Sequence, residues 1–356
     1  MQVKINNIEI EAREGETILK VAERAGIEIP TLCHREGVEH YSSCMVCMVR
    51  DKRNGSFIPS CSALAQEGME IDASGDEVIA LRKKSIELLL SEHRAECEAP
   101  CRVVCPAGYN IPKMNRLLAA GMVREAMELS LSELTTVEIK CKTCAGYCEN
   151  ACRRKKIDIP VSIRNLQLFV SKNISGPDHD NKSEGNMEVS NPLRMKFSSR
   201  IGKMDDTELK EWLKESVPEA ERYREIKDFG SAGSEAGSCM HCDCRAADDC
   251  LLREVAQKLS LKDPVGKVVN SPIQKKVNQK TGLIFENAKC IKCGLCVRVC
   301  EDSKDEPALC FINRGFVSII SEPLTEELDN ILATQTDKCI EVCPTGALGS
   351  IYKKMQ

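Results

Sequence analysis

Hydrophobic and polar residues alternate with a period of two at the start of the chain, which is the pattern of half-buried β-strands. Residues 2–11 (QVKINNIEIE) alternate in this way on either side of Asn6 and Asn7, so they predict a β-hairpin with a tight turn. Residues 16–25 change to the helical period, and a glycine follows them. The apolar face of this predicted helix consists of Ile18, Leu19, Val21 and Ala22.

Further helical patterns lie in the middle of the chain. Residues 77–91 have one long amphipathic pattern. Residues 112–121, whose first residue is proline, and residues 123–134 have two shorter ones. A polar stretch rich in Gly, Pro, Asn and Asp follows, and within it only residues 205–216 have the pattern of a short helix. The stretch therefore predicts a linker.

The cysteine content changes this picture. The 356 residues include 22 Cys but only 7 Phe, 5 Tyr and 1 Trp, so we expect metal sites, more than large apolar cores, to hold several segments together. The N-terminus lacks the apolar segment of a secretion signal, and no apolar run of about 18 residues occurs, so we expect a cytoplasmic protein without a membrane span. Thiols stay reduced there, and clustered cysteines indicate metal ligands. The net charge of −4 argues against nucleic-acid binding.

The first cysteine group has the spacing C-x10-C-x2-C-x13-C. Its members are Cys33, Cys44, Cys47 and Cys61. Three thiolates in a loop and a fourth from a later strand suit a [2Fe–2S] cluster. A zinc site or a set of buried structural cysteines is the alternative.

The central region has two further groups that lie close together in sequence. The first contains His93, Cys97, Cys101 and Cys105, and the second contains Cys141, Cys144, Cys148 and Cys152. Neither group alone has enough ligands at workable spacing for two clusters. Together they complete two [4Fe–4S] sites if they exchange ligands, as cysteine groups do in ferredoxins with two clusters. We therefore expect a small helical domain built around two clusters.

The C-terminal region also has two groups. The first predicts a zinc site or an iron–sulfur cluster, with uncoordinated thiols as the remaining option, and consists of Cys239, Cys242, Cys244 and Cys250. The second has the spacing of bacterial ferredoxins and predicts one [4Fe–4S] cluster held by Cys290, Cys293, Cys296 and Cys343. A second ferredoxin cluster would need cysteines where Ala333 and Thr336 stand. The remaining cysteines are therefore expected to be buried thiols: Cys300, Cys310 and Cys339.

Both ends of the chain resemble the N-terminal iron–sulfur region of the large iron–sulfur subunit of complex I and of iron-only hydrogenases. The order of hairpin, helix, IEIPTLC and cysteine loop carries this resemblance at the start, and FINRGF and CPTGAL carry it near the end. It implies a β-grasp [2Fe–2S] ferredoxin domain and a C-terminal domain like bacterial ferredoxins. The pair His93-x3-Cys97 matches the histidine and cysteine that bind a [4Fe–4S] cluster in complex I.

The central region resembles the two-cluster helical domain of dihydropyrimidine dehydrogenase and of the glutamate synthase small subunit, through CEAPCRVVCP and CAGYCENACRRKK. This resemblance assigns one [4Fe–4S] cluster to Cys97, Cys101 and Cys152. The family's fourth cysteine position is Arg94, which cannot ligate iron, so His93 takes its place. The alternative for His93 is a solvent-facing residue at a helix end.

The same resemblance assigns the second central cluster to Cys105, Cys144, Cys148 and Gln167. The glutamine stands in the sequence IRNLQ, which fits a glutamine ligand in dihydropyrimidine dehydrogenase. Cys141 either replaces Gln167 or remains a thiol. The cofactors expected in total are one [2Fe–2S] cluster, three [4Fe–4S] clusters and one further zinc ion or iron–sulfur cluster.

These patterns predict an α+β multidomain protein with a [2Fe–2S] domain at 1–80, a helical two-cluster domain at 81–172, a linker at 173–235 and a ferredoxin-like domain at 236–356. No G-x-G-x-x-G or P-loop motif occurs, so we expect no nucleotide or flavin domain and no catalytic residue in this chain. The expected function is electron transfer in anaerobic metabolism, between an NAD(P)H/flavin subunit of complex I or glutamate synthase type and another redox subunit or ferredoxin. The expected complexes include those that bifurcate electrons at a flavin. The alternative is a partly zinc-bound redox scaffold or sensor.

Overall fold

The computed structural model describes residues 1–93, 97–133, 141–173, 210, 221–246, 249–261, 274–300 and 307–350. The chain divides into two compact units. Unit 1 comprises residues 1–95, 200–202 and 245–356, and unit 2 comprises residues 96–199 and 203–244. Apart from residue 210, the helix predicted at 205–216 lies outside the described residues, and so does the position of Arg94.

The N-terminal part of unit 1 is a five-stranded sheet with the order β2-β1-β5-β3-β4. Its strands are β1 Gln2–Ile5, β2 Ile8–Glu11, β3 Met48–Asp51, β4 Phe57–Pro59 and β5 Glu70–Asp72. Strand β1 pairs antiparallel with β2 and parallel with β5. The predicted hairpin is confirmed, because Asn6 and Asn7 both have positive φ, as a two-residue turn between twisted strands requires.

Helix α1, Ile18–Arg24, packs its apolar face into the core of this sheet. The Thr17 side chain accepts a hydrogen bond from the Lys20 amide at 3.3 Å and caps the first turn. The predicted helical face is confirmed, since all four of its residues are buried in one cluster with Val3, Ile5, Val49 and Ile71. The sheet and helix together hold the cysteine loop that follows α1.

Helix α2, Asp76–Glu92, confirms the long helix predicted at 77–91. Arg82 on this helix is buried, and its guanidinium donates two hydrogen bonds to the Met48 carbonyl, at 3.1 and 2.9 Å. Because Met48 directly follows Cys47, these bonds fasten the helix to the first cysteine group.

Unit 2 consists of helices, and none of its described residues lies in a strand. The helices are α3 Pro100–Val103, α4 Ile111–Ala119, α5 Val123–Glu133, α6 Tyr147–Asn150, α7 Ile163–Asn173 and α8 Phe229–Gly237. The Asn110 side chain caps α4 by accepting a hydrogen bond from the Lys113 amide at 3.3 Å. The sequence predicted Pro112 as the first residue of this helix, but it is the second.

A buried glutamate ties α8 to the rest of unit 2. The Glu235 carboxylate accepts hydrogen bonds from the amides of Ser162 and Tyr223, both at 2.8 Å, and from the Arg222 guanidinium at 3.1 Å. Burial alone raises the pKa of Glu235, but the hydrogen bonds from Arg222, Ser162 and Tyr223 lower it further, so the net pKa lies below its usual range. The segment that precedes Cys239 is thus fixed by charge as well as by packing.

The C-terminal part of unit 1 begins with helix α9, Leu251–Lys258, and continues with short strands and helices. The strands β6 Lys275–Val277 and β7 Leu283–Glu286 form a three-stranded sheet with β10 Leu348–Ser350, in the order β10-β7-β6. Strands β8 Cys310–Ile312 and β9 Ile319–Ser321 form a separate antiparallel pair. The helices here are α10 Leu295–Arg298 and α11 Thr336–Val342.

Candidate metal centres

The four cysteines of the first group come together in the N-terminal part of unit 1. Cys33, Cys44, Cys47 and Cys61 are each at most 4% exposed. Hydrogen bonds from the thiols of Cys44 and Cys61 lower the pKa of Cys33, and the pKa of each of these two partners is raised by its bond to Cys33. A hydrogen bond from Cys61 lowers the pKa of Cys47 to about 7. The four sulfur atoms therefore lie close enough to share protons, which suits ligands of one centre.

The ferredoxin-type cysteines surround one small cavity in the C-terminal part of unit 1. The cavity is lined by Cys290, Cys293, Cys296 and Cys343, with Phe285, Ile320 and Leu348 among the apolar residues. Burial raises the pKa of Cys290 to about 12, and it also raises the pKa values of Cys293 and Cys296. The Lys292 amide donates a hydrogen bond to the Cys290 sulfur at 3.3 Å. Such a largely apolar site with an N–H···S bond is suited to an iron–sulfur cluster, which stabilises thiolates that the bare site disfavours.

These two cysteine groups are neighbours within unit 1. The Tyr41 ring, three residues before Cys44, packs edge-to-face on the Phe311 ring, with 5.8 Å between the ring centroids. The Arg298 guanidinium lies over the same Tyr41 ring, 4.2 Å from its centroid. Gly294, directly after Cys293, lies so close that a Cβ atom there would be 2.6 Å from Tyr41 ring carbons. The charge of Cys33 also contributes to the raised pKa of Cys293.

His93 ends α2 and is buried in unit 1, with 7% of its surface exposed. This burial contradicts the solvent-facing alternative. Burial and then the nearby Lys289 ammonium lower the pKa of His93 to about 4, while a hydrogen bond to the Lys289 carbonyl acts in the opposite direction. Its Nδ1 atom has no hydrogen-bond partner among the described residues. A neutral imidazole that is oriented through one nitrogen and has its other nitrogen unpaired is suited to metal ligation.

Five candidate ligands of the second central cluster converge in unit 2. The Cys141 thiol donates a hydrogen bond to Gln167 Oε1 at 2.9 Å. Burial, then the charges of Cys105 and Cys144, raise the pKa of Cys141 to about 11. Burial, then Glu149 and Cys105, raise that of Cys148 to about 12. Gln167 is buried, and its Nε2 atom has no partner within the described part of the chain. Cys141 therefore lies with the assigned ligands, and both options for it and Gln167 remain open.

The other central cysteines and the Cys239–Cys250 group lie at several places in the structure. Cys101 and Cys152 line a cavity in unit 2 together with Cys239 and Cys242. Cys97 and Cys244 are joined through their backbones, the Cys244 amide donating to the Cys97 carbonyl at 3.1 Å. Cys250 belongs to unit 1, where its thiol lies 3.9 Å from the Pro344 carbonyl oxygen. Neither of the two ligand sets predicted from the sequence for these residues is tested by this arrangement alone.

The remaining cysteines lie in or near the C-terminal core of unit 1. Cys300 and Cys339 are 3% and 0% exposed, and their sulfur atoms are 2.9 Å apart. Cys310 on β8 is only partly buried, so the expectation of burial holds for two of the three residues.

Two features are absent from the described residues. No group of three or more His, Cys, Asp or Glu side chains there has the arrangement expected around a single metal ion. No described helix is both long enough and apolar enough to cross a membrane.

Sequence reasoning missed the residues that support the central sites. Asn115 on α4 is fully buried and lines the same cavity as Cys101. Neither polar atom of its amide makes a hydrogen bond of normal geometry within the described residues. Arg116 beside it donates to both Asp243 oxygens at 2.8 Å. No spacing rule marks either residue, since both stand within an ordinary amphipathic helix.

Comparison with known families places an iron–sulfur domain at each of the three cysteine-rich regions. Residues 1–75 match the family described as 2Fe-2S iron-sulfur cluster binding domain. Residues 86–177 match dihydropyrimidine dehydrogenase domain II, 4Fe-4S cluster. Residues 283–349 match the ferredoxin-like domain of NADH-quinone oxidoreductase subunit 3. The chain is therefore a multi-cluster iron–sulfur protein with mixed helices and sheets.

Individual relatives are subunits of redox complexes. The chain is 26% identical over 163 residues to the G 2 subunit of NADH-quinone oxidoreductase from Rhizobium meliloti (strain 1021), which covers 42% of this chain and 18% of the relative. It is 30% identical over 97 residues to the gamma subunit of the NAD-reducing hydrogenase HoxS from Cupriavidus necator, which covers 27% of this chain and 41% of the relative. The matched parts thus span less than half of these relatives. The chain is homologous to both proteins, as the sequence resemblance predicted for complex I.

A solved structure supports the fold of the chain. The crystal structure of NAD+-reducing [NiFe]-hydrogenase in the H2-reduced state contains a chain that aligns with a TM-score of 0.51 and 16% identity. The alignment covers 98% of this chain and 86% of that one.

Proposed function

We propose that this chain relays single electrons through its iron–sulfur clusters between an NAD(P)H/flavin subunit and another redox subunit or ferredoxin. The observation that carries the proposal is the contact between two cysteine loops in unit 1. Tyr41 of the first loop fills the space next to Gly294 of the ferredoxin-type loop, so clusters held by the two loops would be neighbours. A metal scaffold needs no such contact, whereas a relay depends on short distances between its centres.

The proposed cofactors follow the cysteine groups. A [2Fe–2S] cluster would be held by Cys33, Cys44, Cys47 and Cys61 in a β-grasp domain, residues 1–80. One [4Fe–4S] cluster would be held by Cys290, Cys293, Cys296 and Cys343 in the ferredoxin-like domain, residues 236–356. Two more [4Fe–4S] clusters would lie in the helical domain, residues 81–172. For one of these two the proposed ligands are Cys105, Cys144, Cys148 and either Gln167 or Cys141.

Bound clusters would supply one-electron redox chemistry, and the residues of the chain tune and protect it. The buried Arg82 guanidinium stands behind the first cysteine loop through its bonds to Met48, and its positive charge favours the reduced cluster. Around the ferredoxin-type cysteines, Phe285, Ile320 and Leu348 exclude water. Exclusion of water and N–H···S bonds shift the reduction potential of a cluster in opposite directions. Neighbouring clusters can therefore have different reduction potentials.

The proposed partners follow from the chemistry of nicotinamide. NAD(P)H gives two electrons as hydride, and a cluster accepts one at a time, so a flavin has to stand between them. The named relatives belong to NADH-quinone oxidoreductase and NAD-reducing hydrogenase, which supports a flavin/NAD(P)H subunit of the complex I type as the neighbour. A subunit of the glutamate synthase type is the second option. A cytoplasmic location is proposed because reduced thiols persist there.

Anaerobic purification followed by iron, sulfide, zinc and flavin analysis tests this function. We expect about fourteen irons per chain for one [2Fe–2S] and three [4Fe–4S] clusters, no flavin, and several EPR signals after dithionite reduction. NADH alone should leave the visible absorption unchanged and should bleach it once a flavin subunit of the complex I type is added. Zinc-rich, iron-poor protein would support the scaffold instead, and iron-loaded protein that accepts no electrons from any flavin subunit would refute the relay.

A further inference from the structure

A cavity in unit 2 is lined by four cysteines from three separate segments. They are Cys101, Cys152, Cys239 and Cys242. Cys101 is buried, and burial, followed by the charges of Cys239, Cys242 and Cys152, raises its pKa well above the usual value. Each of the three other thiols is thus near enough to Cys101 to affect its ionisation. Cys97 and Cys250 are not among the residues that line this cavity.

The loop that carries Cys239 and Cys242 shares two backbone features with the ferredoxin-type loop. In Cys290-x2-Cys293 the residue before the second cysteine, Lys292, has a φ of +55°, and its amide donates to the first cysteine sulfur. In Cys239-x2-Cys242 the residue at the same place, His241, has a φ of +48°, and its amide hydrogen-bonds to the Cys239 sulfur. Non-glycine residues seldom adopt positive φ. Two loops that share this conformation and the same N–H···S bond are suited to the same kind of ligand.

Polar contacts hold this loop in place on both sides. The Arg154 guanidinium donates to the Ser238 carbonyl at 2.5 Å, just before Cys239. Arg116 donates to both oxygens of Asp243 at 2.8 Å, just after Cys242, and Asp243 is only 5% exposed. The loop is therefore fixed against α4 and the segment after Cys152 by buried charges.

A buried amide points to a ligand in the cavity. Asn115 is fully buried and lines the cavity, and its amide makes no hydrogen bond of normal geometry among the described residues. Its side chain is nevertheless close enough to Cys239 to lower the pKa of that thiol, although burial dominates and the net pKa is raised. A buried amide with only an imperfect hydrogen bond to a thiol is poorly satisfied, and an anionic sulfur of a bound cluster would accept the Asn115 N–H.

We propose that Cys101, Cys152, Cys239 and Cys242 are the four thiolate ligands of one [4Fe–4S] cluster. This inference rests on the proposed iron–sulfur function and completes it, because the helical domain lacks the family's fourth cysteine at Arg94. Cys239 and Cys242 supply two thiolates from outside residues 81–172, one in place of the residue at 94 and one in place of Cys97, which does not line the cavity. Asn115 acts as a positioning residue that donates an N–H···S bond. The cluster is all-thiolate, and His93 is not one of its ligands.

Single and double serine variants of the full-length chain test the ligand set. Anaerobically prepared Cys239→Ser, Cys242→Ser and Cys101→Ser should each lose about four irons and the same EPR component. The double variant Cys101→Ser/Cys239→Ser should lose no more iron than either single variant, since both ligands serve one cluster. A matched control is Cys310→Ser, which should keep all its iron. The [2Fe–2S] EPR signal in each preparation reports that unit 1 is still folded.

Three results would overturn the proposal while leaving the wider function intact. The double variant could lose about eight irons, which would place Cys101 and Cys239 on different clusters. Cys239→Ser could keep all its iron and every EPR component unchanged. Wild-type protein could carry zinc that Cys239→Ser lacks. If wild-type protein contains no iron at all, it is the proposed function that fails.

A different variant tests the proposal if the serine variants fail to fold. Asn115→Leu keeps all four thiolates and removes only the amide. We expect it to retain its iron and to shift the midpoint potential of one EPR component downward, namely the component that Cys101→Ser removes. A merely structural role for Asn115 would alter stability without this selective shift. An unchanged potential, or a shift in a component that Cys101→Ser leaves intact, would contradict the assignment.

Discussion

Replacing Gly294 by alanine should disturb the contact between the two cysteine loops of unit 1. Gly294 has a φ of +78°, and a Cβ atom there would lie 2.6 Å from Tyr41 Cδ2 and Cε2. A left-handed non-glycine residue costs about 1–2 kcal/mol, and an extra carbon in a packed contact costs about 1–3 kcal/mol. Gly294→Ala should therefore destabilise the loop contact by about 2–5 kcal/mol. Removal of the Tyr41 ring should relieve only the second contribution.

A double-mutant cycle separates the two contributions. In a Tyr41→Ala background, Gly294→Ala should cost only the backbone strain, about 1–2 kcal/mol. Gly315→Ala is the matched control, because Gly315 has a φ of +62° and a Cβ atom there would meet nothing within 4 Å.

Hydrogen exchange of the amides in α10 measures the loss of stability in each variant of the cycle. Gly294→Ala alone should lower their protection by at least about 30-fold, since 1.4 kcal/mol corresponds to a factor of ten. Tyr41→Ala itself removes the Arg298 and Phe311 contacts of the ring, worth about 1–2 kcal/mol together, and the cycle subtracts this loss. If Gly294→Ala costs the same with and without the Tyr41 ring, the two loops do not pack as described, and the argument for neighbouring clusters loses its basis.

Three further predictions concern charges. Arg82→Met should lower the midpoint potential of the [2Fe–2S] cluster in an EPR titration by roughly 40–90 mV, because a nearby cation at an effective dielectric of 20 is worth about 1–2 kcal/mol; an unchanged potential would refute it. Arg116→Met should increase exchange of the Cys244 amide by the equivalent of about 3–5 kcal/mol, since the buried Asp243 carboxylate loses the charge of Arg116, and added Asp243→Asn should restore much of it. Glu235→Gln should destabilise unit 2 at pH 7. Because folding lowers the pKa of Glu235, this penalty should persist above the pKa of about 4.3 of unfolded glutamate and fade as pH falls further, measured by exchange of the Ser162 amide.

Local features of this protein could be predicted from the sequence because short-range rules decide them. The turn at Asn6 and Asn7 needs positive φ at two successive residues, and asparagine tolerates it. The apolar face of α1 follows from the helical period. The cysteines from Cys290 to Cys296 lie within one loop and the first turn of α10, so their spacing largely fixes their geometry. Pro112 was misplaced by one residue because the capping bond of Asn110 decided where α4 begins.

The grouping of the central cysteines is a different kind of problem, since thiols of equal chemistry can be combined in many ways. The spacing from Cys239 to Cys250 suggested one four-cysteine site. That prediction stays untested, but the structure shows that Cys239 and Cys242 line one cavity with Cys101 and Cys152. The ion pair between Arg116 and Asp243 and the hydrogen bond from Arg154 to Ser238 hold this loop in place. Both are contacts between segments far apart in sequence.

One local feature of two cysteine loops is seen in the backbone but cannot be predicted from the sequence. Lys292 and His241 both adopt the left-handed conformation just before the second cysteine of a C-x2-C loop, and neither is a glycine. The conformation aims the amide of that residue at the first sulfur, an arrangement that stabilises a thiolate. A bare thiol gains little from this bond, and the backbone strain of about 1 kcal/mol then has no compensation. At these two loops the backbone therefore adds a sign of thiolate binding that the cysteine spacing alone does not give.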